Sequence, residues 1–314
     1  MREGVHQWLR YAYRKFRRVP GIEPFAEWLK RPYIGGDGRV RFHKLGLDVC
    51  EVCNLRCEHC THFSPFRTAL HSKEELMDSL TRWGGRIVPR ELSILGGEPF
   101  MHPDLGEIVV AARKSFFASR IVLTTNGTLL SKADDRLLRT LAKSRVSLHI
   151  SVHLDTKEYQ DDLAVAIQKL QQFRIKHHIE SYTAPGSWYM IYGLNSKGVP
   201  IPYDSNPLQA WNVCFRRDCG KIIGDQLYRC GTLGNIVRAY HEGAIGSEWS
   251  RALTHQPATL DSTPQEILEY IRGGGMPECS VCPETIGAVA SRQLSFEDVK
   301  QIKAHIREER EKKN

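Results

Sequence analysis

Residues 53–60 read CNLRCEHC, so Cys53, Cys57 and Cys60 follow a C-x3-C-x2-C spacing. Three thiolates in so short a stretch can bind one metal centre from the same side. A closed structural zinc site takes four Cys or His ligands, whereas a [4Fe–4S] cluster has four irons that each need one. Three cysteines on a cluster leave one iron open, while a zinc site would take His59 or His62 as its fourth ligand. Both readings fit this stretch considered alone.

The length and composition indicate a globular protein with one large and one smaller domain. The chain has 314 residues, of which 41% are apolar, enough for a sizeable core. It has no stretch long enough to span a membrane and no signal-peptide pattern, so we expect a cytoplasmic protein without a membrane partner. In that reducing compartment the nine cysteines are expected to be metal ligands or catalytic groups rather than disulfides.

The net charge of +8 is concentrated near both ends, from Arg10 to Arg18 and in the mixed tail from Lys300 to Asn314. These segments are read either as solvated helix faces or as contacts for an anionic substrate, such as a nucleotide-linked compound. No basic stripe interleaved with aromatic residues is present, so a nucleic-acid partner is not expected.

Strand and helix patterns alternate from Leu45 onward, which predicts an α/β fold with a parallel sheet or barrel. In such folds the chemistry lies at the carboxyl ends of the strands, and the cysteine stretch follows the first strand. The predicted strands are Leu45–Val49, Glu91–Leu95, Ile121–Thr124, Val146–Val152 and His178–Tyr182. The predicted helices run from a Ser72 capping box to Trp83, from an Asp104 cap, from Lys132 to Ala142 and from Lys157 to Phe173.

Polar motifs follow the next three strands. Residues 96–99 read GGEP: the glycines allow close backbone approach to a ligand, and Glu98 can accept hydrogen bonds from an ammonium group. Asn126 belongs to a Thr-Asn-Gly sequence after the third strand. Ser151 and His153 alternate along the fourth, which puts both on one face. Each motif alone is also compatible with an ordinary turn or, for His153, with a core histidine.

Together the cysteine stretch, GGEP and Asn-Gly resemble the radical S-adenosylmethionine (SAM) superfamily, over about Leu45 to Tyr182. The resemblance implies a partial (β/α)6 TIM-type barrel and the reductive cleavage of SAM to methionine and a 5′-deoxyadenosyl radical. It implies that Cys53, Cys57 and Cys60 ligate a [4Fe–4S] cluster whose open iron chelates SAM. It also implies a reducing partner of the flavodoxin or ferredoxin type.

The same resemblance assigns SAM contacts. The methionine ammonium is expected at Glu98 and the glycine backbone, and the ribose near Asn126 and Ser151. His153 stands where an acidic or small residue is expected. The full set of expected contacts is Gly96, Gly97, Glu98, Pro99, Asn126, Ser151 and His153.

A second group of cysteines follows Tyr203. Cys279 and Cys282 form a metal-type C-x2-C pair, and Cys214, Cys219 and Cys230 lie upstream, so four of the five could bind a second cluster or a zinc ion. Behind a radical SAM core, this region resembles the twitch domain, a short form of the SPASM domain that holds one [4Fe–4S] cluster. That resemblance assigns Cys214, Cys230, Cys279 and Cys282 as ligands, with Cys219 as an alternative to Cys214.

These features predict four segments. They are an N-terminal extension (1–44), a radical SAM core (45–203), a twitch/SPASM-like auxiliary-cluster domain (204–293) and a charged C-terminal helix (294–314). The boundary near Tyr203 follows a stretch rich in proline and glycine.

Two cysteines remain without a cluster role. Cys50 is expected to pack at the end of its strand. Cys219 is the candidate hydrogen-atom donor to a substrate radical, which would give epimerisation. If the radical instead loses an electron to the auxiliary cluster, the outcome is dehydrogenation.

The substrate suggested by the family is a small carbohydrate-like molecule: a sugar, an aminocyclitol or a nucleotide-linked precursor. A cationic substrate would need acids, and those available are Asp155, Asp204, Asp218 and Asp225. A peptide maturase is the alternative within the superfamily, although the extension is short for a peptide-binding domain. A non-catalytic, zinc-stabilised binding protein is the alternative from another class.

Overall fold

The computed structural model describes residues 31–312. The sequence also predicts short helices from Val5 to Phe16 and around Phe25 to Leu29, and both lie outside these residues, as does the basic segment from Arg10 to Arg18. Among the residues described, no helix has the length and apolarity that a membrane span requires.

The strands predicted from the alternating pattern are present, and strand Val146–Val152 has the predicted bounds. In chain order the strands are β1 Tyr33–Ile34, β2 Val40–Cys50, β3 Ile87–Gly96, β4 Arg120–Thr125, β5 Val146–Val152, β6 His177–Ser181, β7 Trp188–Tyr189, β8 Gly193–Leu194, β9 Pro200–Ile201, β10 Cys219–Ile223, β11 Gln226–Tyr228, β12 Ala258–Thr259 and β13 Ala288–Val289.

Helices follow the first strands in the expected alternation, and further helices lie in the second half. The α-helices are α1 Lys73–Gly84, α2 Leu105–Ser115, α3 Asp135–Lys143, α4 Lys157–Gln172, α5 Pro207–Val213, α6 Gly231–His241, α7 Pro264–Arg272 and α8 Phe296–Glu311. Short 3-10 helices span Ser64–Phe66, Pro99–Met101, Ser247–Thr254 and Pro277–Val281.

Helix α1 illustrates how the sequence sets these elements. The hydroxyl of Ser72 accepts a hydrogen bond from the backbone N–H of Glu75 at 3.2 Å, as the capping pattern predicts. Leu76, Leu80 and Trp83, spaced by four and three residues, are the buried face of the helix. The helix therefore begins at its cap and packs through one apolar stripe on the sheet.

Six parallel strands form the main sheet in the order β10-β2-β3-β4-β5-β6. Alternation along β5 separates its two faces: the apolar side chains join the main core, and Ser147, His149 and Ser151 lie on the opposite face. The fold is therefore the predicted α/β class, a partial TIM-type barrel. The apolar side chains of β5 are Val146, Leu148, Ile150 and Val152.

The sixth parallel strand comes from the second half of the chain. Strand β10 pairs with β2, with Lys221 opposite Gly46 and Ile222 opposite Leu47. It therefore lies beside the first barrel strand instead of following the fifth. The antiparallel strands β11 and β12 extend the sheet beyond it. The sheet thus continues across the boundary placed near Tyr203, and the predicted domain limits stay a prediction.

A second apolar cluster lies beneath the cysteine stretch. Phe63 is fully buried there, stacked on Tyr192 with ring centroids 5.1 Å apart and in edge contact with Trp249 at 5.7 Å. Residues of α6 and α8 complete the cluster. The second half of the chain therefore supports the loop that carries the first three cysteines.

A buried ion network joins the same parts. The guanidinium of Arg67 donates to the carboxylates of Glu51 at 2.5 Å and Glu242 at 2.7 Å, and the side chains of Arg67 and Glu51 are fully buried. Arg238 adds a second ion pair to Glu51, at 3.1 Å. Because buried charges need partners, these pairs fix the loop after β2 against α6.

Candidate active site

The three cysteines of residues 53–60 lie at the carboxyl end of β2. The chain turns there through left-handed backbone at His59 (φ 58°) and Phe63 (φ 56°). Cys53, Cys57 and Cys60 are free thiols and line one cavity of about 370 Å³. The structure therefore brings the three predicted ligands to a common space at the working edge of the sheet.

The thiols differ in how readily they ionise. Burial raises the pKa of Cys53, and it raises the pKa of Cys57 to about 11. Burial also opposes ionisation of Cys60, but the hydrogen bond and charge of His62 lower the pKa of this thiol. The imidazole Nε2 of His62 lies 3.3 Å from Oδ1 of Asp48. Buried thiols of this kind ionise when a metal centre supplies compensating positive charge.

Gly96 and Gly97 bring the end of β3 against the cysteine loop. The backbone N–H of Gly97 donates to the carbonyl oxygen of Cys50 at 2.8 Å. A Cβ added at Gly96 (φ 140°) would lie 2.1 Å from that oxygen, and one at Gly97 would lie 2.0 Å from the carbonyl oxygen of Val52. Only glycine fits this approach, and both residues line the cavity.

The carboxylate of Glu98 binds the next loop. It accepts hydrogen bonds from Oγ1 of Thr125 at 2.7 Å, from the backbone N–H of Asn126 at 2.8 Å and from that of Phe100 at 3.1 Å. Burial raises the pKa of Glu98 to about 7, although these bonds favour the ionised form. Glu98 and Pro99 are not among the cavity-lining residues. Their expected contacts with SAM stay a prediction, and Glu98 positions the loop of Asn126.

Asn126 lies in the cavity wall and contacts the cysteine loop. Its side-chain amide donates to Oδ1 of Asn54 at 2.9 Å and to the sulfur of Cys53 at 3.7 Å. The hydroxyl of Tyr159 donates to the carbonyl oxygen of Asn126 at 2.9 Å and holds the turn from below. The Asn126 loop is therefore positioned by the cysteine loop.

Ser151 and His153 also line the cavity. The hydroxyl of Ser151 donates to the carbonyl oxygen of Thr125 at 3.2 Å. The ring of His153 stacks on Tyr182 at 5.3 Å and meets the edge of Trp188 at 4.7 Å. Burial lowers the pKa of His153 to about 4, so the imidazole is neutral at pH 7. His153 is thus an aromatic-packed histidine that faces the cavity.

A segment far along the chain covers the cysteine loop, and we name residues 291–294 the C-terminal strap. The side-chain amide of Gln293 donates to the sulfur of Cys57 at 3.2 Å, and its oxygen accepts from the backbone N–H of Arg56 at 2.9 Å. The backbone N–H of Leu294 donates to the carbonyl oxygen of Arg56 at 2.8 Å. Sequence reasoning missed this contact, because nothing near Gln293 marks it.

Comparison with known families agrees with this geometry. The model of the Radical SAM superfamily matches residues 47–184, which run from within β2 to just beyond β6. Over these residues the chain is similar to the Radical SAM superfamily. The match implies a [4Fe–4S] cluster and SAM, and Cys53, Cys57 and Cys60, which line the cavity, all lie within the matched residues.

Curated relatives match less than half of this chain. A GTP 3′,8-cyclase of Paenarthrobacter nicotinovorans is 32% identical over 136 residues, which is 40% of this chain and 38% of the relative. The molybdenum cofactor biosynthesis protein 1 of Bos taurus is 33% identical over 155 residues, 44% of this chain and 23% of the relative. The chain therefore spans less than half the length of these relatives.

The solved structures that match this chain have low sequence identities and TM-scores below 0.5. BtrN in complex with AdoMet and 2-DOIA is 14% identical, with a TM-score of 0.45 over 76% of this chain and 84% of BtrN. Native anSMEcpe with bound AdoMet and the Cp18Cys peptide is 18% identical, with a TM-score of 0.35 over 44% of this chain and 42% of that protein.

Beyond the matched residues, four cysteines from three parts of the chain come together. Cys214 directly follows α5, Cys230 precedes α6, and Cys279 and Cys282 lie at the 3-10 helix Pro277–Val281. Burial raises the pKa of Cys282 well above its usual value, and the charges of the other three thiols raise it further. The structure therefore places near one another the four cysteines that the twitch resemblance assigns to a second cluster, and that cluster stays a prediction.

Cys219 and Cys50 belong to neither assigned set of cluster ligands. Cys219 begins β10 and lines the same cavity as Cys53, Cys57 and Cys60, with the charges of Lys44 and Arg216 acting on its thiol. Cys50 is fully buried at the end of β2, where its thiol donates to the carbonyl oxygen of Glu98 at 3.3 Å, as the packing prediction requires.

The charged side chains of the cavity wall are cationic, namely Lys44, Arg216 and Lys221, and the wall also contains His149. The ammonium of Lys44 pairs with Glu91 at 3.0 Å, and that of Lys221 with Asp48 at 2.5 Å. The four acids considered for a cationic substrate are not in this wall; they are Asp155, Asp204, Asp218 and Asp225.

Proposed function

We propose that the chain is a radical SAM enzyme in which Cys53, Cys57 and Cys60 hold a [4Fe–4S] cluster. The observation that carries this is the single cavity they share with the Gly96–Gly97 backbone and Asn126. With the cluster and SAM bound, the site supplies a 5′-deoxyadenosyl radical that abstracts a hydrogen atom from the substrate. The cavity extends from the thiols to Ser151 and His153, the residues expected near SAM.

The residues around the thiols bind and orient. The backbone of Gly96 and Gly97 can approach the methionine part of SAM because neither residue has a side chain in the way. Asn126, held by Asn54 and Tyr159, lies in the cavity wall, where the family resemblance places the ribose. His153 stays uncharged at pH 7 and forms an aromatic wall with Tyr182 and Trp188, which limits access of water.

The cationic wall supports an anionic, carbohydrate-like substrate. The guanidinium of Arg216 lies over the ring of Phe215, 5.5 Å from its centroid, and its buried Nε has no hydrogen-bond partner in the described part of the chain. A phosphate or carboxylate group of a substrate would accept paired hydrogen bonds from the N–H groups of this guanidinium. A nucleotide-linked sugar fits such a wall better than a cationic aminocyclitol.

Cys219 favours epimerisation as the outcome. Removal of a hydrogen atom from one face of a substrate carbon leaves a carbon radical. The S–H of Cys219 can return a hydrogen atom to the other face, which leaves a sulfur radical on Cys219. One electron and one proton then restore the thiol, and a reducing partner of the flavodoxin or ferredoxin type is the proposed source of that electron.

Dehydrogenation is the second candidate, and the grouping of Cys214, Cys230, Cys279 and Cys282 supports it. A second [4Fe–4S] cluster held there could accept the electron of the substrate radical, while the substrate loses a proton. The product would then be two hydrogens lighter than the substrate.

The cluster assignments are tested first by composition. We expect about eight irons and eight sulfides per anaerobically reconstituted chain, as for two [4Fe–4S] clusters. Cys53→Ala should remove about four irons and abolish SAM cleavage, whereas Cys279→Ala should remove about four irons and retain SAM cleavage. A colourless protein that carries zinc and leaves SAM intact under reduction would support the zinc-binding alternative instead.

The substrate class and outcome are tested in heavy water. UDP- and GDP-linked hexoses, GTP (because curated relatives are GTP 3′,8-cyclases) and a cationic aminocyclitol are compared for stimulation of 5′-deoxyadenosine formation. With an active substrate, an epimerase should place one solvent deuterium at a product carbon. Cys219→Ala should abolish this label, and Cys50→Ala, which removes a thiol outside the cavity, should keep it. An unlabelled product lighter by two hydrogens would establish dehydrogenation.

A further inference from the structure

Two strands of the barrel bring three metal-type ligands together outside the cysteine groups. Strands β5 and β6 are parallel, with His149 opposite His178 and Ser151 opposite Glu180. Because side chains alternate along a strand, His149, His178 and Glu180 lie on the same face of the sheet, opposite Leu148 and Ile150. Their ligand atoms all lie within 4.8 Å of one another.

The contact between His149 and Glu180 has the spacing of two ligands around one ion. Nε2 of His149 lies 3.1 Å from Oε2 of Glu180, and the rings of His149 and His178 stack with centroids 5.7 Å apart. On a tetrahedral metal with bonds of about 2.0–2.1 Å, neighbouring ligand atoms are roughly 3.3 Å apart. Two of the three side chains are exposed, and small rotations of all three would bring their ligand atoms to bonding distance of one ion.

The electrostatic state of His149 suits a ligand. Burial, followed by the charges of His178 and Lys44, lowers the pKa of His149 against the opposing effect of Glu180. A neutral imidazole offers a nitrogen lone pair to a metal, whereas an imidazolium does not. Two imidazoles and one carboxylate are a recurring ligand set for zinc and other divalent transition metals.

We propose that His149, His178 and Glu180 bind one divalent transition-metal ion, with zinc as the best match to the nitrogen and oxygen donors. Three protein ligands leave a fourth position for water or for a ligand oxygen. Because His149 also lines the cavity of the three cysteines, the ion would lie at the wall of that cavity and add positive charge there. The proposal stands independently of the proposed radical SAM reaction.

Zinc content tests the proposal on the cluster-loaded protein, in which iron occupies the thiols. The protein is dialysed anaerobically against a low concentration of ZnCl2 and then against metal-free buffer, and zinc and iron are counted by mass spectrometry. We expect one zinc per wild-type chain. His178→Ala should lose it with iron unchanged, and the isosteric Glu180→Gln should weaken zinc affinity at least tenfold in competition with a chromophoric chelator.

His177 supplies the matched control. It lies on the same strand, next to His178 but on the opposite face, and its Nδ1 lies 3.2 Å from the carbonyl oxygen of Ile175. His177→Ala should keep the zinc, because its imidazole cannot reach the trio. Equal zinc in wild type, His178→Ala and Glu180→Gln, or loss of zinc in His177→Ala as well, would overturn the proposal. The unchanged iron count shows that a variant has folded.

Discussion

At single positions of this site, the neighbouring atoms determine which residue type fits. Gly96 and Gly97 have no room for a Cβ because the carbonyl oxygens of Cys50 and Val52 occupy that space. The pair therefore does two things: it packs the second strand end on the cysteine loop, and it leaves backbone exposed to the cavity. The Gly96–Gly97 motif, which suggests ligand binding in the sequence, is therefore also required for packing.

Gly97→Ala is expected to destabilise the protein by about 3 kcal/mol, because the new methyl group meets backbone rather than a flexible side chain. Urea unfolding followed by circular dichroism measures the loss. Gly274→Ala is the matched control, since a Cβ there has no atom within 4 Å. Similar unfolding midpoints for the two variants would show that the close approach at Gly97 is not a constraint.

His153 should make stability depend on pH. Burial lowers its pKa from 6.5 to about 4, so between these values the unfolded chain binds more protons than the folded one. The free energy of unfolding therefore falls as pH decreases from 6.5 towards 4, by about 1 kcal/mol per pH unit. His153→Asn should show a shallower dependence in urea unfolding at pH 7.0 and 5.5. An unchanged slope would contradict the assignment, and His305→Asn on α8 is the control.

At the scale of elements, the C-terminal strap is the least expected part of the site. Gln293 donates a hydrogen bond to the sulfur of Cys57. Two further hydrogen bonds join residues 291–294 to the backbone N–H and carbonyl oxygen of Arg56. Hydrogen bonds to cluster sulfurs raise the reduction potential of iron–sulfur clusters, because they stabilise the added negative charge. The strap can therefore tune a cluster bound by the loop as well as hold the loop in place.

Gln293→Leu is expected to lower the reduction potential of the cluster assigned to Cys53, Cys57 and Cys60, because the N–H bond to Cys57 is lost. Redox titration followed by electron paramagnetic resonance measures this shift. Gln301→Leu replaces an amide on α8 that bonds Glu297 instead, and it should leave the potential unchanged. Equal potentials in both variants would limit Gln293 to a packing role.

At the scale of the whole molecule, the two halves share one sheet. Strand β10 hydrogen bonds to β2, and the buried ammonium of Lys221 on β10 pairs with Asp48 on β2 at 2.5 Å. Separation of the halves would expose a strand edge and leave a buried charge without its partner. The molecule should therefore behave as one cooperative unit despite its two apolar clusters.

We expect a single unfolding transition in urea, with the same midpoint by tryptophan fluorescence and by far-ultraviolet circular dichroism. The indole rings of Trp83 and Trp249 report on the first and second apolar clusters, respectively. Replacing each tryptophan by phenylalanine in turn separates the two signals. Two midpoints would show that the segments divided near Tyr203 unfold independently.

Local pattern was sufficient for the first half of the fold. Period-two alternation gave Val146–Val152 its bounds, and the Ser72 cap located α1, because both signals depend on residues close in sequence. The position of β10 beside β2 was not predictable in this way. It depends on pairing between residues about 175 positions apart, which leaves no periodic trace in a single sequence.

The site followed the same division. The cysteine ligands and the Asn126 loop could be predicted from the sequence, because each is a short motif at the end of a strand. The hydrogen bonds of Glu98 to the Asn126 loop and of Gln293 to Cys57 could not be predicted from the sequence. Both depend on which donor or acceptor lies nearby in three dimensions. The grouping of four cysteines could be proposed from their number and spacing, whereas the position of Cys219 in the first cavity required the fold.

The strap has a consequence for how the protein is made. Cys57 and its partner Gln293 are 236 residues apart, so a ribosome that adds roughly 5–20 residues per second leaves the thiol uncovered for about ten to fifty seconds. During synthesis this sulfur is open to oxygen and to stray metal ions. Delivery of iron and sulfide to the loop should therefore follow synthesis of Gln293, and chains that stall before this residue should yield oxidised, metal-poor protein.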